Sequence, residues 1–199
     1  MSPKQRLLMI FYRNPELGKV KTRLAASIGD DKALAVYLDL AAHTRQITEA
    51  ARSDKVVFYS DYIDTEDNWN SEPFQKELQK GDDLGSRMEN AFNWAFQSGY
   101  HSACIIGTDC FDLTAQLIDQ AFTALEVFDV VIGPARDGGY YLLGMNKLHA
   151  NFFKQKDWGT HTVYSDTLED IGNLDLQFSL LPILTDVDEK SDLPRRYKI

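Results

Sequence analysis

Cysteine is almost missing from this chain of 199 residues, which holds only Cys104 and Cys110. Six positions apart, they match no zinc or redox spacing and read as ordinary buried or half-buried thiols. Long hydrophobic runs are also missing. Met1 leads through Lys4 and Arg6 into about seven apolar residues, too few for a signal peptide core or a membrane span. The expected compartment is the cytoplasm. Positive charge is scarce, with 21 Lys and Arg against 30 Asp and Glu and a formal net charge of −9. That balance excludes non-specific nucleic-acid binding, which needs a basic surface to displace counterions. It leaves room for one small anionic ligand in a local basic pocket, especially with a divalent cation. No Gly-x-Gly-x-x-Gly follows the first strand pattern, which disfavours an NAD-linked oxidoreductase, and the glycine spacing of a Walker P-loop is lacking. Nor does any repeat, low-complexity stretch or linker interrupt the sequence. With 44% apolar, 12% aromatic and 26% charged residues, the chain suits one folded domain over residues 1–199.

What is present is an alternation of strands and helices. Near-continuous apolar runs at Leu7 to Tyr12, Val56 to Tyr59, Cys104 to Ile106 and Val130 to Ile132 predict strands covered on both faces. Between them, Ala33, Tyr37, Leu40, Ala41, Thr44 and Ile47 follow a helical period, as do Met88, Ala91, Phe92, Ala95 and Phe96. Another helix pattern carries Leu117, Ile118, Ala121, Phe122 and Leu125, with Thr114 as its N-cap. Such alternation predicts an α/β fold with a largely parallel sheet. One exception is legible. Val130 to Pro134 and Tyr140 to Leu143 are joined through Asp137-Gly138-Gly139, too short for a parallel crossover, so this pair is an antiparallel hairpin.

The candidate chemistry lies where strands end. The run Ile105-Ile106-Gly107-Thr108-Asp109 releases a carboxylate at a strand's carboxyl end, the usual ligand position in open α/β sheets. A turn or cap role explains Asp109 and Asp112 equally well from this segment alone. After the first strand come Arg13, Pro15 and Gly18, then Lys19, Lys21 and Arg23 opening a helix. Lysine supplies point charge, arginine a bidentate fork and the helix N-terminus donors, which together suit a diphosphate. A solvated basic turn is the plain alternative. Gly81, Leu84, Gly85 and Arg87 form a second segment, whose glycines allow close backbone approach and whose arginine opposes the macrodipole. Asp137, Gly138, Gly139 and Tyr140 are more than a tight turn needs, and would let a sugar or acceptor approach. Trp158 offers an aromatic platform, and Thr160 an N-cap for the helix that follows. Finally, Asp186-Val187-Asp188 puts two carboxylates on one side of an extended segment. Beside Asp109 they could share one hard cation, Mg²⁺ or Mn²⁺, completed by substrate phosphates. A short helix is predicted from Glu189.

These segments, taken in order from Pro15 to Asp188, resemble the bacterial DUF2064 family, which belongs to the nucleotide-diphospho-sugar transferase superfamily. The resemblance runs from about residue 7 to residue 193. It implies a three-layer Rossmann-like GT-A fold, a mixed and mostly parallel sheet of about seven strands with one antiparallel member. It further implies that Lys21, Arg23 and Asp109 are catalytic, and that Asp109, Asp186 and Asp188 are the metal side. Arg13, Lys19, Gly81, Leu84, Gly85, Arg87, Asp137, Gly138, Gly139, Tyr140, Trp158 and Thr160 would bind substrate. Two departures stand out. Phe111 occupies a position where the family has proline, so the loop loses that rigidity. No Asp-x-Asp surrounds Asp109, so the familiar glycosyltransferase metal motif is not strictly present.

The leading function is a metal-assisted transferase taking a nucleotide-sugar and a small-molecule acceptor. In that reaction Lys21 and Arg23 would stabilise the departing diphosphate. A nucleotidyltransferase joining an NTP to a phosphorylated acceptor needs the same electrostatics. A catalytically degenerate nucleotide-binding protein remains a third reading, because no His or Glu in these motifs is an evident general base. Replacing Lys21 and Arg23 is expected to weaken ligand binding with little effect on the free protein's stability.

Overall fold

The computed structural model describes residues 6–70 and 72–197. Met1 and Lys4, where the leader reading begins, lie outside the described residues. Seven strands form one sheet: β1 (Arg6–Tyr12), β2 (Asp54–Tyr59), β3 (Phe74–Leu78), β4 (Ser102–Ile106), β5 (Val130–Pro134), β6 (Tyr140–Met145) and β7 (Phe178–Leu180). Their order is β3-β2-β1-β4-β6-β5-β7. Among the described residues only β6 runs against the rest, pairing antiparallel with both β4 and β5. The short Asp137-Gly138-Gly139 connection dictates this, since it can reverse the chain but cannot carry it across a sheet.

Helices cover both faces because side chains alternate along each strand. Leu8, Ile10, Val57, Cys104 and Ile106 pack toward α2 (Asp30–Ala50) and α4 (Ala115–Ala124). Leu7, Met9, Val56, Ala103 and Ile105 pack toward α3 (Leu84–Gln97) and α5 (Val163–Asn173). A smaller cluster joins Leu24 of α1 (Thr22–Ile28) to Val36 and Leu40 of α2 and to Val187.

Side-chain caps account for the starts of α3 and α4. Thr114 caps α4, accepting a hydrogen bond from the Leu117 amide at 3.2 Å. Asp83 and Ser86 form a reciprocal capping box at α3. Thr160 does not cap the following helix. It donates to the Asp157 carbonyl at 2.7 Å, closing a turn, and α5 starts at Val163, behind Thr162. The helix expected from Glu189 is a single 3-10 turn, Lys190–Asp192.

Candidate active site

The carboxyl ends of β1, β4 and β5 meet the start of β6 along one edge of the sheet, and the charged loops gather there. The loop after β1 is held at its root. The Tyr37 hydroxyl on α2 donates to the Arg13 carbonyl at 2.6 Å and accepts from the Arg13 amide at 3.0 Å. Asn14, buried, ties the same loop to the end of β2 through Tyr62 and Asp61. The chain then reaches Lys21, whose left-handed backbone (φ 49°) immediately precedes α1. A lysine in that conformation carries strain that its surroundings must offset.

Lys21 reaches two carboxylates. Its Nζ lies 2.5 Å from Asp109 Oδ1 and 3.3 Å from Asp188 Oδ1, and its side chain is only 6% exposed. Arg23, on the surface, approaches the other Asp188 oxygen at 3.4 Å. Burial disfavours the Lys21 charge, but Asp109 and Asp188 outweigh it and hold the ammonium above its ordinary pKa.

The aspartates converge because of how the segment after β7 runs. Its Leu181 amide bonds the Ile132 carbonyl, Leu184 bonds Pro134, and the Arg136 amide bonds Leu184. It then crosses to the loop after β4, where the Val187 amide donates to the Asp109 carbonyl at 2.8 Å. Val187 is buried, so the residues on either side of it face the site.

Two cavities meet at Asp109. The first, about 260 Å³, has walls of Phe11, Leu84, Met88, Ile105, Tyr140 and Trp158, with Asp109, Asp137, Asp186, Gly139 and Thr160 also on its lining. The second, about 250 Å³, is lined by Arg13, Lys21, Arg23, Tyr37, Thr108, Asp109 and Asp188. A smaller groove of about 210 Å³ lies between Arg23 and Arg136 and touches both Asp186 and Asp188. The site therefore pairs an apolar chamber bearing carboxylates with a cationic chamber, and Asp109 belongs to both.

Asp186 is the perturbed group here. Burial first, then repulsion from Asp109 and Asp137, pushes its pKa up to about 7 despite Lys21. Its Oδ1 is buried without a hydrogen-bond partner. Among the described residues no three His, Cys, Asp or Glu side chains gather at metal-binding distance. Asp109 and Asp186 nevertheless supply hard oxygen donors, and the orphaned Asp186 oxygen fits a divalent cation whose remaining ligands are water and phosphate. Asp188 is differently engaged, since Lys21 and Arg23 already neutralise it. Cys110 is no nucleophile: burial, then Asp186, pushes its thiol up to about 12.

Other expected residues are positioned apart from these chambers. Lys19 is 70% exposed and pairs with Glu16 at 2.6 Å. The Arg87 guanidinium donates to the Gly81 carbonyl at 3.0 Å, bracing that loop away from the cavities. Gly85 lacks the Cβ that would collide with the Trp158 indole, so its role is to seat that ring. Gly138 packs against the His161 main chain and accepts from the Tyr164 amide at 2.9 Å. Among the lining residues that sequence reasoning did not assign to the site are Tyr37, Phe11 and Arg136. Tyr37 lies on an apolar helical stripe that reads as core, Phe11 sits inside a strand, and Arg136 is hidden beside a strong turn signal.

Comparison with known proteins follows the same lines. A family model described as an uncharacterized protein conserved in bacteria, DUF2064, matches residues 42–160. A crystal structure from Desulfovibrio desulfuricans G20, provisionally named a nucleotide-diphospho-sugar transferase, is 33% identical with a TM-score of 0.86. That match covers 92% of this chain and 82% of the other. A cytidylyltransferase from Leptospira borgpetersenii serovar Hardjo-bovis shares the fold at a TM-score of 0.58 and 11% identity, covering 96% and 83% of the two chains. A CMP:2-keto-3-deoxy-manno-octonic acid synthetase complexed with CTP does so at 0.59 and 8% identity, covering 94% and 95%. No curated protein matches this sequence. No helix among the described residues is long and apolar enough to cross a membrane.

Proposed function

This chain belongs to the DUF2064 family, and from that premise we propose that it is a transferase using a nucleotide-sugar as donor and a small molecule as acceptor. One observation carries the reading: a cationic chamber and an apolar, carboxylate-bearing chamber share Asp109 at the carboxyl end of the sheet. A nucleotide-sugar has the matching polarity, with a charged diphosphate joined to a neutral hydroxylated ring. Arg13, Lys21 and Arg23 would take the diphosphate, and Trp158 and Tyr140 would flank the ring, with Asp137 accepting its hydroxyls. The relative named as a nucleotide-diphospho-sugar transferase supports this choice.

An acceptor hydroxyl oxygen would bond to the sugar's anomeric carbon as that carbon's bond to the diphosphate breaks; the hydroxyl proton ends on the released diphosphate or solvent, and charge develops on the departing oxygen. Lys21 and Arg23 stabilise that charge, because their ammonium and guanidinium are fixed near it before the bond breaks. To do so Lys21 exchanges part of its pairing with Asp109 and Asp188 for phosphate. Asp109 and Asp186 would hold Mg²⁺ or Mn²⁺, which when bound neutralises diphosphate charge. The apolar walls exclude water that would otherwise compete with the acceptor.

The test is turnover of UDP- and GDP-sugars with Mg²⁺ or Mn²⁺ and mixed small acceptors, followed by nucleoside diphosphate release. Wild type should turn over at least one donor and Asp109→Asn none. Pyrophosphate release from an NTP, with no sugar donor consumed, would replace this reading with nucleotidyl transfer. Undiminished turnover in excess chelator would remove the metal from it.

A further inference from the structure

Resting on that reading, we propose that Tyr197 and Arg196 are positioning residues, which clamp Phe111 and thereby hold Asp109 and the Asp186–Asp188 segment in place. Phe111 lies two residues beyond Asp109. Its ring stacks on Tyr197, with centroids 5.6 Å apart, and meets His43 of α2 edge-on at 5.8 Å. The Arg196 guanidinium lies 4.4 Å from the centre of the same ring. Phe111 is therefore held by an aromatic ring, an imidazole and a cation, although the loop lacks a proline to stiffen it.

The clamp is anchored to a rigid element. Tyr197 donates its hydroxyl to Asp39 of α2 at 2.6 Å, and His43 bonds the Leu113 carbonyl at 3.0 Å. Tyr197 and Phe111 also border the cluster formed by Leu24, Val36, Leu40 and Val187. Val187 is the residue whose amide bonds the Asp109 carbonyl and whose neighbours are the two site aspartates. One packed unit thus joins the helix after Lys21, the loop carrying Asp109 and the segment carrying Asp186 and Asp188. Loosening any wall of it would let the carboxylates drift from the lysine between them.

The two cysteines give a readout that does not depend on catalysis. Cys110, in the Asp109 loop, is buried, and Cys104, in β4, is fully buried. Thiol labelling at Cys110 reports opening of the loop, whereas labelling at Cys104 reports opening of the sheet. Tyr197→Ala and Arg196→Ala should each speed labelling of Cys110, by about tenfold for Tyr197→Ala, with Cys104 unchanged. Tyr197→Phe keeps the ring but loses the bond to Asp39, so its labelling rate should fall between those of wild type and Tyr197→Ala. Arg196 is exposed, so its variant remains informative should Tyr197→Ala fail to fold. Unchanged Cys110 labelling in folded variants, or acceleration of both cysteines in parallel, would overturn the clamp. Calorimetric affinity for UDP-glucose or GDP-mannose with Mg²⁺ should fall about tenfold with the same Tyr197→Ala change. Failure of wild type to bind any nucleotide-sugar or NTP would instead count against the proposed function, leaving the labelling ratio to decide the clamp.

Discussion

Lys21 is the residue on which sequence and structure part company most usefully. Its place in a basic loop suggested a phosphate ligand whose loss the free protein would scarcely notice. Instead the side chain is buried between Asp109 and Asp188. Removing it leaves two carboxylates facing each other, which costs stability even though both retain some contact with water. Lys21→Met should therefore destabilise the free protein by about 1–2 kcal/mol in urea unfolding, less than a fully buried pair would cost. Arg23→Ala, at an exposed guanidinium, should stay within about 0.5 kcal/mol. Equal losses for the two variants would contradict this division. Asp186 gives a second expectation. Its folded-state pKa of about 7 is above that of an unfolded aspartate, so the folded protein binds the extra proton as pH falls. Stability contributed by that proton is present at low pH and is lost as pH rises through about 7. With chelator present, Asp186→Asn should gain stability relative to wild type as pH is raised from 4 to 8 in thermal melts, and a constant difference across that range would refute the shift. Neither property was visible in the sequence, since Asp186 and Lys21 are 165 positions apart (186 − 21) and only the fold brings them together.

At the scale of elements, the signals that were legible came from burial on both faces. β1, β2, β4 and β5 each carry a continuous apolar run, and the β5–β6 reversal is encoded by a connection too short for anything else. The edge strands were not legible for the complementary reason. β3 reads Phe-Gln-Lys-Glu-Leu and β7 has only three residues, because an edge needs neither a long nor a wholly apolar sequence. Of the candidate site, the strand-end carboxylates and cations were readable, but Gly81, Gly85 and Gly138, unlike Gly139, lie outside the chambers. Gly138 looked like an opening for ligand, yet its φ of 93° and its contact with the His161 main chain make it a seam between the hairpin and the segment before α5. Gly159 also has positive φ but faces open space. Gly138→Ala should thus cost more than Gly159→Ala, by about 1–3 kcal/mol from the added overlap with backbone. Comparable unfolding midpoints for the two variants would show that the seam yields.

For the whole molecule, the decisive property is that loops distant in sequence share one end of the sheet while the opposite end stays chemically separate. Arg6 and Glu126 pair near the start of β1, next to a cavity lined by His101, Phe122 and Asn146, far along the strands from Asp109. A net charge of −9 makes the surface as a whole unfavourable to an anionic ligand. On the proposed reading it enters the cationic chamber, where the loop after β1, the loop after β4 and the Asp186–Asp188 segment meet. If a nucleotide-sugar spans both chambers, it also touches the hairpin turn at Asp137 and the Trp158–Thr160 segment. Hydrogen exchange with and without UDP- or GDP-sugar and Mg²⁺ should therefore show added protection in all five regions at once, because a ligand that selects the closed site lowers every local opening that would break it. The Arg6, His101 and Asn146 end should change least. Protection restricted to the loop after β1 would mean that only phosphate is held and that the apolar chamber serves something else. Protection spread evenly over both ends would place the effect in global stability, and the shared Asp109 would lose its claim to join the two halves of one ligand.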